Sequence, residues 1–244
     1  MTDGDRTDEH PLDPRATGEH VRRLASTDGT VTLVGVVHDH PASVYRAAQV
    51  VADADPDVLA LEVPPLAVPL YEQYAADERS PPVFGGEMSA AVQAAGTDRV
   101  VGIDGPSLGF LGRLARTMLG ERASLGTVRQ VARGVVAVGR TALACRAAAT
   151  LATLTSLRVE VDTPVPYGDV PDDPARQAAD EREHIERTHS VLAVLTPPRA
   201  VRFRDETREA HMAERLAALR GAGDVVAVVG HGHLDPLAER LTET

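Results

Sequence analysis

Four short apolar runs constrain this chain most: residues 31–37, 58–63, 99–103 and 225–229. Each carries, at or just past its carboxyl end, a residue able to bind or catalyse, namely His38, Glu62, Asp104 and His233. Runs of Val, Leu and Ala without polar alternation read as strands buried on both faces, the pattern of a parallel sheet covered by helices. Residues 42–54 have helical spacing, with Ser43 as the expected cap, and Asp55-Pro56-Asp57 breaks the helix. Strand, helix, strand over this length is a βαβ unit, so its two strands should run parallel. The expected fold is α/β, with a central, largely parallel sheet flanked by helices. In such sheets the carboxyl ends of the strands form the ligand crevice.

The remaining segments fit one domain over 21–244, after a polar leader over 1–20 expected to be disordered. Helices are expected over 87–95 (after Gly85-Gly86), 174–195, 203–219 and 236–241, with an exposed loop over 159–173. Residues 107–158 read as a helical insertion, a hairpin rich in Ala, Val, Leu and Arg. Arg122, Arg129, Arg133 and Arg140 recur near whole turns and share one face. Arg140 and Arg146 interrupt the most apolar stretch, which argues against a spanning helix. A hairpin packed on the domain, or a homodimer interface, is expected rather than membrane contact.

Composition narrows the function classes. The chain has no lysine and a net charge of −11, which argues against nucleic-acid binding through phosphates. An acidic, lysine-free surface stays hydrated when salt screens it. It fits a salt-loving host, or equally the codon bias of a GC-rich genome. A single cysteine, Cys145, excludes an internal disulfide and a cysteine-based zinc site. The first 20 residues have no apolar core and do not read as a signal peptide, so a cytoplasmic protein is expected.

The crevice residues carry the candidate chemistry. Gly35-Val36-Val37-His38 and Gly230-His231-Gly232-His233 place a histidine three residues after a glycine at two strand ends. Gly35 and Gly230 would let the backbone approach a ligand closely. Two imidazoles with a carboxylate form a common open site for a divalent metal, so His38, His233 and Glu62 are the candidate ligands. Glu87 opens a helix, either favouring the helix dipole or aiming into the crevice. Asp104 suits a turn as well as a site. Arg204, next to Asp205, could bind a substrate carboxylate or fix Glu62.

Taken in order, these motifs resemble the TraB/PrgY family. The likeness runs through Leu33–His38, Ser43 and Pro56–Glu62, then Gly86-Glu87-Met88, Val101–Asp104, Arg204-Asp205 with Met212, and finally Val228–Leu234. Each motif alone is common, and their order over residues 31–243 gives the resemblance its specificity. It is similar in turn to the Tiki metalloproteases and to the erythromycin-esterase and ChaN-like group. The resemblance implies a metal-dependent hydrolase, peptidase-like, with Mn²⁺, Co²⁺ or Zn²⁺ on His38 and His233. Glu62 would be ligand or base, with Glu87, Asp104 and Arg204 in support. Gly105 stands where the family commonly has Arg, so no role is carried over from that Arg. The alternatives are a peptide-binding or sequestering protein without turnover, and a regulatory scaffold acting through the helical hairpin.

Overall fold

Alternating burial along three strands organises the molecule. In β2 (Gly29–Val36), β3 (Val58–Leu61) and β5 (Val225–Gly230), even-numbered and odd-numbered positions face opposite sides of one sheet. Val34, Val36, Leu59, Leu61, Val226 and Val228 bury in one core. Val31, Leu33, Val58, Ala60, Val225, Ala227 and Val229 bury in the other. Both faces are covered, which is why the sequence shows apolar runs rather than alternation. The structure, a computed structural model, describes residues 13–155, 161, 167, 172–194 and 198–243.

The sheet has five strands in the order β1-β2-β5-β3-β4, with β1 at Val21–Ser26 and β4 at Val100–Gly102. β2, β5, β3 and β4 are parallel, and β1 pairs antiparallel with β2. The expected βαβ unit is present, with β5 inserted between its two strands. Helices α1 (Pro41–Ala54), α2 (Val68–Ala75) and α3 (Gly86–Ala94) bury residues in the first core. Helices α7 (Arg199–Arg220) and α8 (His231–Thr242) bury residues in the second. The insertion forms two consecutive helices, α4 (Leu108–Gly120) and α5 (Leu125–Leu154), both packed on α7 rather than closed on each other as the expected hairpin. The charged helix α6 spans Pro174–Val194.

Several expectations shift. Residues 13–20 of the expected leader form two 3-10 turns, and β1 follows them. Ser43 does not cap α1. His40 does, its Nδ1 accepting from the Ala42 amide at 3.2 Å. The last helix starts at His231 instead of 236 and absorbs Pro236, so the second Gly-x-x-His motif lies in a first helical turn. Most of the expected loop over 159–173 lies outside the described residues.

Candidate active-site crevice

The chain leaves β2 and β5, which are neighbours, on opposite sides of the sheet. After β2 it enters α1 on the first-core face, and after β5 it enters α8 on the second. Such a divergence opens a crevice at the strand ends. Here it brings together His38, Glu62, Glu87, Asp104 and His233, each within a chain of direct contacts or close charges.

His38 follows β2 and is held from α3. Its Nδ1 lies 2.6 Å from Glu87 Oε1, and the Asp39 amide donates to Glu87 Oε2 at 2.9 Å. Asp39 takes φ of 57° to present that amide. Glu87 is buried in the first turn of α3, where the helix dipole favours its charge. The His38 side chain remains 62% exposed, and its Nε2 has no hydrogen-bond partner among the described residues. The hydrogen bond His38 gives to Glu87, helped by the charges of Glu87, Glu62 and Asp39, raises His38 to about 9 against partial desolvation of the ring. Raised this far, the ring would keep its proton at neutral pH, with the Nε2 side open. The Tyr167 hydroxyl donates to the His38 carbonyl at 2.5 Å.

Glu62 sits at the end of β3 with both oxygens engaged. Oε1 accepts from Arg208 Nη2 at 2.6 Å, and Oε2 accepts from the Gly230 amide at 2.7 Å. Arg208 also donates to Asp104 twice, from Nε at 3.1 Å and Nη2 at 2.8 Å. Burial pulls its pKa down, but hydrogen bonding to Asp104 and the charges of Asp104 and Glu62 raise it further. His233 lies beyond, with Nε2 3.4 Å from Arg208 Nη1 and 3.5 Å from Glu62 Oε1. Its Nδ1 is 3.2 Å from Glu209 Oε1. Burial lowers His233, and Glu209 and Glu62 more than offset this, so its pKa is raised.

The arginine that fixes Glu62 is therefore Arg208, not Arg204. The two share a face of α7 one turn apart. Arg204 pairs with Asp205 at 3.0 Å in an exposed bridge, and Asp205 contributes only its charge toward Arg208. Nothing in the sequence separates these two arginines, and Glu209 was missed for the same reason. The glycine roles also differ. A Cβ on Gly35 would lie 2.9 Å from Leu234 Cδ2, so Gly35 admits α8 rather than a ligand. A Cβ on Gly230 would lie 3.4 Å from Glu62 Oε2, so this glycine lets the carboxylate approach the backbone.

The donor set does not fit a metal held by His38, Glu62 and His233. Both Glu62 oxygens already accept hydrogen bonds, and the Arg208 guanidinium contacts both Glu62 and His233. Among the described residues no group of three or more His, Cys, Asp or Glu is arranged to hold a metal ion. The cation paired with Glu62 is Arg208. Comparison with known proteins finds no matching family model, no matching curated protein and no matching solved structure.

Proposed function

We propose that this crevice is a hydrolytic active site acting on peptide-like substrates. The observation that carries the reading is the state of His38. A buried carboxylate locks its Nδ1, and its Nε2 is left open at the strand edge. A histidine oriented in this way is suited to proton transfer. Charged below about pH 9, it would donate from Nε2 to a leaving group. Arg208, fixed by Asp104 and Glu62, would hold a substrate carboxylate or a developing oxyanion without reorganising. The ordered resemblance to the TraB/PrgY family supports hydrolysis as the reaction class. No step is routed through a metal.

A second reading is favoured by the same two cations. An imidazolium and a guanidinium in one crevice also suit binding of a peptide carboxyl terminus without turnover. The test is a broad peptide-cleavage screen on the purified chain, with metal content measured and chelator added. Hydrolysis that falls at least about 100-fold in His38→Ala, with the fold intact by circular dichroism, supports the enzyme. Saturable peptide binding with no cleavage under any condition supports the binder and sinks the enzyme.

A further inference from the structure

Helices α4 and α5 differ in net charge from the rest of the chain taken together. Residues 108–154 hold seven arginines and one acid, Glu121, a net of +6. With the whole chain at −11, the remainder carries −17. Helix α5 itself, 30 residues long, contains no acidic residue.

Its burial is one-sided. Val131, Ala142, Cys145 and Ala149 form the seam against the body. Opposite that seam, Leu125, Val136, Leu143 and Leu154 are exposed by 78, 60, 62 and 78%. Their spacings of 11, 7 and 11 are close to whole helical turns, so they form one line. Arg129, Arg133 and Arg140 fall at neighbouring angles along that line, and all are exposed. None of the three has a carboxylate partner among the described residues. Leu119, at the end of α4, is also exposed, by 79%.

We propose that this helix pair docks the protein flat on an anionic lipid bilayer. A leucine and valine line flanked by arginines matches a surface that offers an apolar phase and negative charge at one level. The arginines make spanning costly, although the apolar window of α5 reaches a mean hydropathy of 1.4 with 17% buried. A second copy of this face is a poorer partner, since it would set arginine line against arginine line. The −17 remainder would be repelled by the same bilayer, which fixes the orientation with α5 down. The inference stands independently of the reaction proposed for the crevice.

The test is flotation of the full chain with phosphatidylglycerol-containing vesicles and with pure phosphatidylcholine vesicles. Sedimentation without lipid is measured alongside. The expected result is flotation with the anionic vesicles only, weakened by salt. In R129Q/R133Q/R140Q, partition should fall roughly 100-fold, at about a factor of five per arginine near the surface. A Leu125→Ser/Leu143→Ser variant, folded by circular dichroism, should also lose flotation. Any of three results overturns the proposal: no flotation on either vesicle, equal flotation of the arginine variant, or a stable dimer that shields a thiol-reactive probe at Leu143→Cys.

Discussion

Two arginine–carboxylate networks flank the same end of the sheet, and they differ in solvent access. Beneath α1, Arg46 and Glu181 are 1 and 0% exposed. Arg46 donates to both Glu181 oxygens, to the Gly35 carbonyl at 2.9 Å and to the Arg15 carbonyl at 2.8 Å. Ser43 donates to Glu181 and accepts from the Val37 amide at 2.7 Å. Every group is closed in, and the network pins α6 to the domain. In the crevice, Arg208 binds Glu62 and Asp104 in similar geometry but is 22% exposed, beside a largely open His38. The same chemistry thus serves cohesion where water is excluded and leaves donors for a ligand where it is not.

Breaking the closed network should have the largest effect. Arg46→Met strands a buried carboxylate, and should lower stability by about 3–5 kcal/mol in chemical denaturation. The open network should respond less. Glu62→Gln keeps the shape and the Gly230 contact, and should lower stability by roughly 1–2 kcal/mol. A Glu62→Gln loss as large as that of Arg46→Met would show that the crevice is a structural network too. Smallest is the exposed pair: Arg204→Lys should change stability by less than about 0.5 kcal/mol, while Arg208→Lys, which gives up the two-pronged contact to Asp104, should be clearly worse.

Histidines report the same contrast through pH. His20 is buried beside the closed network, and burial, with Arg46 nearby, lowers it to about 4. The unfolded chain binds a proton there near pH 6.5 and the folded chain does not, so stability should fall as pH drops from about 6.5 to 4. His38 is the reverse. Its folded form holds the proton up to about 9, so its contribution is full below 6.5 and is lost as pH rises toward 9. NMR titration of the two rings checks both directions. A His38 ring titrating at its ordinary value would break the pairing with Glu87 on which the crevice reading rests.

Much of the sheet was legible because buried parallel strands are long apolar runs, and their ends were visible as the first polar residue. The strand β1 was not, since Val21-Arg22-Arg23-Leu24 does not alternate and an edge strand tolerates charge. The crevice was legible in His38, Glu62, Glu87, Asp104 and His233. Its key cation was misplaced by one turn, because Arg204 and Arg208 are equivalent in any helical reading and only packing distinguishes them. Glu181 left no trace at all. A carboxylate on a charged helix looks like a solvated face, and its burial depends on Arg46, 135 residues away in sequence. The two Gly-x-x-His motifs looked alike, yet one ends in a loop and the other in a helical turn.

The central claim is that the open network acts on substrate and the closed one only holds the fold. The most direct measurement compares peptide cleavage by the wild type, His38→Ala and Arg46→Met, each normalised to its folded fraction. The account predicts that folded Arg46→Met cleaves at close to the wild-type rate and that His38→Ala loses at least about 100-fold. The opposite pattern, with His38→Ala active and folded Arg46→Met inert, would contradict it.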